Sequence, residues 1–261
     1  MNILDRIVAD KRVEVSLKMG LVSVSYLEAS GLFERSCTSM SKAVARSKSG
    51  IIAEHKRRSP SRDVINNSLK LPAVVTGYTN AGVSGISVLT DGPYFGGALE
   101  DLLLARASVN TSLLRKEFII SEYQIIEAKA HGADVILLIA AILSRPEIEQ
   151  FSTLAKSLGM EVLLEVHDGA ELEKAIMPSL DMIGVNNRNL KTFEVSLNTS
   201  RDLITKIPSD FIKISESGLS EIAAVKDLQS YGFQGFLVGE NFMKTNDPGA
   251  AALDFISKIE A

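Results

Sequence analysis

From Ile51 onward the chain repeats one unit eight times, a short aliphatic or β-branched run followed by an amphipathic stretch of helical length. The runs open near Ile51, Ser84, Leu113, Asp134, Met160, Asp181, Phe211 and Gln234, with 21 to 33 residues between successive starts. Helical patterns fill the intervals near 72–81, 97–108, 121–131, 146–157, 168–176, 198–206, 219–230 and 247–259. Strands that alternate with helices join by right-handed crossovers and pair in parallel, and the resulting sheet must be covered on both faces. Eight units in about 210 residues suit a closed barrel, for which roughly 250 residues is typical. An open doubly wound sheet normally carries a glycine-rich nucleotide turn after its first strand, whereas the first turn here is Ser59-Pro60-Ser61. The expected fold is α/β, a (β/α)8 TIM barrel with an N-terminal helical extension, in a single domain spanning 1–261. The extension is 1–49. Helical periodicity runs through Ile3, Leu4, Ile7, Val8, Val13 and Leu17 to about residue 30, and 31–49 reads as a connection with one short helix.

Composition narrows the partners. With 46% hydrophobic residues in 261, the chain can bury a large core. A net charge of −4 argues against nucleic acid or an anionic membrane surface, because such binding leaves a basic footprint. The longest apolar run, from Val135 to Leu143, is too short to span a bilayer, and no apolar stretch of signal-peptide length opens the chain. One cysteine, Cys37, leaves no intramolecular disulfide framework, so the expected location is cytoplasmic. His55, His131 and His167 have no metal-motif spacing, and no metal is expected. The expected partner is a small molecule, bound by a monomer or weak homo-oligomer.

In such barrels the active site lies at the C-terminal ends of the strands, and most of these strands end in functional groups. Alternation along the first strand puts Ile52, Glu54 and Lys56 on one face and Ile51, Ala53 and His55 on the other. A carboxylate and an ammonium thus stand above one apolar side chain, an arrangement that packing alone does not require. His55, facing the helix layer, reads as a structural histidine, and His167 as a loop residue. Lys116 ends the third strand, Glu165 the fifth, Asn186-Asn187-Arg188 the sixth, Ser215-Glu216-Ser217-Gly218 the seventh and Gly239-Glu240 the eighth. Any one of these is more often a solvated loop residue or an ion pair. Lysines and glutamates from several strands would, however, crowd one mouth, where pairing and desolvation shift their pKa values toward acid–base work. The glycine turns after strands seven and eight suit a phosphate.

These residues carry a resemblance. Ile51-Ile52-Ala53-Glu54 with Lys56 and Ser59-Pro60-Ser61, Leu114-Arg115-Lys116, Leu163-Leu164-Glu165-Val166-His167, Ile183 to Leu190, Ser215 to Gly218 and Leu237 to Glu240 resemble the indole-3-glycerol-phosphate synthase family, in register over nearly the whole chain. The resemblance implies conversion of 1-(2-carboxyphenylamino)-1-deoxyribulose 5-phosphate into indole-3-glycerol phosphate, carbon dioxide and water, within tryptophan biosynthesis and without a cofactor. It implies Lys116 as general acid and Glu165 as general base. Lys56 is implied as the contact to the substrate carboxylate, and Glu54 and Asn186, with Ser217 and Glu216 beside them, as holders of the substrate hydroxyls. Ser59, Gly218, Gly239 and Glu240 match positions around the phosphate, Arg188 a mouth residue, and Phe95, Phe118 and Leu138 the apolar wall for the aromatic ring. The family usually has an apolar residue at His55 and an aspartate at Glu117, so Glu117 is the departure expected to bear on the Lys116 loop. The competing reading is a Schiff-base aldolase acting on a sugar phosphate through Lys56, Lys116 or Lys213.

Overall fold

The computed structural model describes residues 3–60, 62–190 and 192–261. Three helices come first, α1 (Ile3–Leu21), α2 (Val24–Glu28) and α3 (Met40–Arg46). Ser23 and Ser39 start the second and third by accepting backbone N–H bonds in their first turns. Strand and helix then alternate: β1 (Ile51–His55), α4 (Leu71–Asn80), β2 (Gly85–Leu89), α5 (Gly92–Phe95), α6 (Leu99–Ser108), β3 (Leu113–Lys116), α7 (Glu122–Ala130), β4 (Val135–Ile139) and α8 (Arg145–Ser157). The series continues with β5 (Glu161–Val166), α9 (Gly169–Ala175), β6 (Met182–Asn186), α10 (Asn198–Leu203), β7 (Ile212–Glu216), α11 (Ile222–Tyr231), β8 (Gly235–Val238), α12 (Glu240–Met243) and α13 (Pro248–Glu260).

All eight strands pair in parallel, and β8 returns to β1, closing the barrel. The eight predicted starts each fall within one residue of an observed strand. The turns α5 and α12, four residues each, lie between the predicted helices and were not expected. They are too short to show a helical period.

The period of two along each strand divides the core in two. Ile52, Leu114, Leu137, Leu163, Met182, Ile214 and Leu237 fill the barrel interior, while Ile51, Ile136, Leu164, Ile183 and Phe236 pack outward against helices. Met40 and Val44 of α3 join the inner cluster, so α3 plugs the barrel floor. Gly85 leaves room for this, since a Cβ there would lie 2.5 Å from the Met40 methyl. With the floor closed, the opposite end is the one open to ligand. There α1 lends Ile3, Leu4 and Ile7 to the rim. Among the described residues no helix is long and apolar enough to cross a membrane.

Candidate active site

A cavity of about 380 Å³ opens at the C-terminal ends of the strands. It is lined by Glu54, Lys56, Ser59, Phe95, Lys116, Phe118, Glu165, Asn186, Arg188, Glu216, Ser217, Gly218, Gly239 and Glu240, which are the expected site residues with one exception. Leu138 is that exception. It is fully buried and belongs to the outer cluster. Register explains the correction: Ile139 pairs with Glu165 and Leu138 with Leu164, so Leu137 and Ile139 share the inner face with Glu165 and line the cavity instead. Ser61 lies outside the described residues.

Lys116 stands at the centre. Its Nζ is 2.8 Å from Glu165 Oε2 and 2.5 Å from Glu216 Oε2, with β3, β5 and β7 each supplying one group. Burial, the largest single influence, opposes its charge, but Glu165, Glu216 and Glu54 together hold the ammonium well above its usual range. Glu165 is buried too, which alone would favour its neutral form. Lys116 and His167 reverse this and hold it well below the usual carboxylate range. Burial dominates at Glu216, aided by repulsion from Glu165 and Glu54, and raises it to about 7 despite Lys116. Of the two carboxylates on this ammonium, Glu165 alone also has His167 behind it, which favours its charged form. Its Nε2 lies 3.3 Å from Glu165 Oε1 and its Nδ1 3.1 Å from Glu171 Oε2. Desolvation lowers the imidazole, but the two carboxylates outweigh it and lift it to about 10. His167, read from sequence as a loop residue, is thus the cation behind Glu165.

Glu216 fits because β6 carries glycine where its carboxylate lies: a Cβ at Gly184 would be 2.3 Å from Glu216 Oε1. On the far wall Lys56 pairs with Glu54 at 2.7 Å, and Glu54 also accepts from the Ser87 hydroxyl at 3.2 Å. Asn186 donates to Glu165 Oε1 at 3.2 Å and accepts from the Ser217 hydroxyl at 2.9 Å. Ser217 has φ 69, a left-handed conformation that is strained for a non-glycine residue. Buried Asn187 supports that turn by donating to the carbonyls of Glu216 and Ser217 at 3.0 and 3.1 Å. Named from sequence with Asn186 and Arg188 at the end of the sixth strand but given no role there, it is absent from the cavity lining and acts on the turn instead.

Phe95 and Phe118 form an apolar wall, their ring centroids 6.0 Å apart. The opposite rim, beyond β7 and β8, carries Gly218, Ser220, Gly239, Asn241 and Lys244. Lys244 and Asn241 had gone unnoticed because they lie on and after α12 rather than at a strand end. The Glu240 carboxylate pairs with Arg62 from the loop after β1, which leaves its backbone as its contribution to an anion site. Lys213 is absent from the lining. Glu117 is buried behind Lys116, bonded to Thr90 and the Phe118 N–H. Among the described residues no group of three or more His, Cys, Asp and Glu side chains is placed to hold a metal ion.

Comparison with known proteins gives the family. Residues 4–255 match the family model described as indole-3-glycerol phosphate synthase. The indole-3-glycerol phosphate synthase of Bacteroides thetaiotaomicron is 44% identical over 259 residues, covering 99% of both chains. That of an Azoarcus species is 42% identical over 255 residues, 95% of this chain and 97% of the other. Among solved structures, a mutant tryptophan synthase α-subunit from Pyrococcus furiosus has a TM-score of 0.61 at 15% identity, over 81% of this chain and 98% of that one, a likeness of fold alone.

Proposed function

The chain belongs to the indole-3-glycerol phosphate synthase family, and we infer that its barrel mouth closes the pyrrole ring of 1-(2-carboxyphenylamino)-1-deoxyribulose 5-phosphate. The enzyme is a carbon–carbon lyase of tryptophan biosynthesis that releases indole-3-glycerol phosphate, carbon dioxide and water. The observation that carries the assignment of roles is Lys116, a buried ammonium shared by two carboxylates beside an aromatic wall.

Ring closure joins the aromatic carbon that bears the carboxylate to the substrate ketone carbon. The ketone oxygen gains a proton as the bond forms, and a cation held charged at neutral pH can donate it. Lys116 is that donor. Its move toward the ketone relaxes its contact with Glu165, which regains basicity at that moment. Loss of carbon dioxide then returns an electron pair to the ring. Departure of the former ketone oxygen as water needs a second proton, and removal of a ring proton needs a base, the role of Glu165. Glu216, raised above the usual carboxylate range and bonded to Lys116, can return the proton that Lys116 gives up.

Lys56 faces the substrate carboxylate, with Glu54 turning it into place. Asn186 and Ser217 hold the sugar hydroxyls, and Phe95 and Phe118 receive the ring and exclude water, which strengthens every charge inside. Backbone groups at Gly218 and Gly239, with Ser59 and Lys244, make the phosphate end. A Schiff-base aldolase needs a lysine able to lose its proton, whereas Lys116 is held more strongly charged than usual. The test is turnover of the carboxyphenylamino substrate followed by indole fluorescence. Rapid product formation by the parent and its near absence in Lys116→Ala are expected. A folded parent without turnover, or a borohydride-trapped lysine adduct, overturns the reading.

A further inference from the structure

Lys11 lies on α1, outside the eight barrel units, yet it is only 2% exposed. Its Nζ stands 2.7 Å from Glu14, 2.9 Å from Asp91 Oδ1 and 3.1 Å from Glu117 Oε1. Burial, its largest single influence, opposes the charge, but Glu117, Asp91 and Glu14 outweigh it and hold the ammonium above its ordinary range. Asp91 and Glu117 follow β2 and β3 and are themselves buried. Asp91 Oδ2 accepts the N–H groups of Tyr94 at 2.8 Å and Phe95 at 3.2 Å, starting α5. Glu117 Oε1 accepts the N–H of Phe118 at 2.9 Å, and its Oε2 accepts the Thr90 hydroxyl at 2.8 Å. Among the described residues Arg115 also pairs with Glu117, at 3.7 Å, but is committed to Glu127 at 2.6 Å. One ammonium from the extension therefore joins the two carboxylates that fix the backbone of the aromatic wall. Without it, two buried carboxylates would be left unneutralised side by side and would move apart or take up a proton.

We propose that Lys11 is a positioning residue for the aromatic wall: by bridging Asp91 and Glu117 it sets the separation of Phe95 and Phe118, and with it the affinity for the ring of the substrate. The inference rests on the reading above that this wall receives the carboxyphenylamino ring. Lys11 is not among the residues that line the cavity, so it acts through the two carboxylates.

The decisive measurement compares kcat and KM of the parent, Lys11→Met and Lys11→Arg, with inhibition by indole-3-glycerol phosphate, which carries the ring, and by ribulose 5-phosphate, which does not. In Lys11→Met, KM and the product inhibition constant are expected to rise about tenfold or more, while kcat and ribulose 5-phosphate inhibition stay within about threefold. Lys11→Arg, which keeps the charge, is expected to restore most of the affinity. If Lys11→Met fails to fold by circular dichroism, Lys11→Met with Glu117→Gln removes one of the two facing carboxylate charges as well and carries the same comparison. Unchanged KM, or equal weakening of ring-free and ring-bearing ligands, overturns the proposal. A parent without turnover instead overturns the assigned reaction, so the two failures are distinguishable.

Discussion

Lys116 is charged because its neighbours are, and that interdependence sets what substitution does there. Lys116→Ala leaves Glu165 and Glu216 facing each other in a buried mouth. The proton donor is lost and both carboxylates are driven toward their neutral forms. The expected result is a fall in kcat of about 10³-fold or more, read from indole fluorescence, with the product still bound. His167 and His55 titrate in opposite senses. His167, lifted to about 10, contributes stability that is fully present below about pH 6.5 and fades as pH rises toward 10. His167→Gln should therefore cost most at pH 6, on the order of 2 kcal/mol, and almost nothing at pH 10 by urea unfolding. A cost that did not change with pH would exclude the ion pairs with Glu165 and Glu171 as its source. His55 is buried with its Nε2 unpartnered, and desolvation, with Arg57 nearby, lowers it to about 4. Its unfolded form binds a proton first, so stability falls as pH drops from about 6.5 toward 4. His55→Leu is expected to flatten that acid limb.

At the scale of elements, the site depends on which strand leaves room for which. Glu216 of β7 occupies the volume that a side chain at Gly184 of β6 would take. Gly184→Ala should push Glu216 from Lys116, lower kcat by about tenfold and cost about 1–3 kcal/mol, with KM for substrate changed less. Unaltered kcat in a folded Gly184→Ala would show that Glu216 does not need its contact with Lys116. The Leu138 correction belongs to this scale as well. A run such as Val135-Ile136-Leu137-Leu138-Ile139 is aliphatic at every position, so composition cannot say which residues face inward. Pairing of Ile139 with Glu165 decides it, and pairing is a property of two strands. Glu54, Lys116 and Glu165 were legible because each follows an aliphatic run at the C-terminal end of its strand, where a barrel places its site.

Across the whole molecule, the two histidines together shape the stability curve. Their summed contribution is greatest near pH 6.5, falling on the acid side through His55 and on the alkaline side through His167. Thermal melts of the parent against the double variant His55→Leu, His167→Gln should converge above pH 10, where neither imidazole carries a proton, differ most near pH 6.5, and draw together again toward pH 4 as His55 costs the parent stability. The sequence by itself determined the eight-unit rhythm, the parallel closed barrel and the polar strand ends, because hydrophobic period and turn chemistry are local and each unit writes them separately. Tertiary structure alone decided that Lys116 lies between Glu165 and Glu216, that His167 backs one of these carboxylates and not the other, and that Lys11 reaches the ends of β2 and β3. Those contacts join residues as many as 106 positions apart. Their geometry follows from strand register and barrel closure, and their energies from shared burial, neither of which any single stretch of chain possesses.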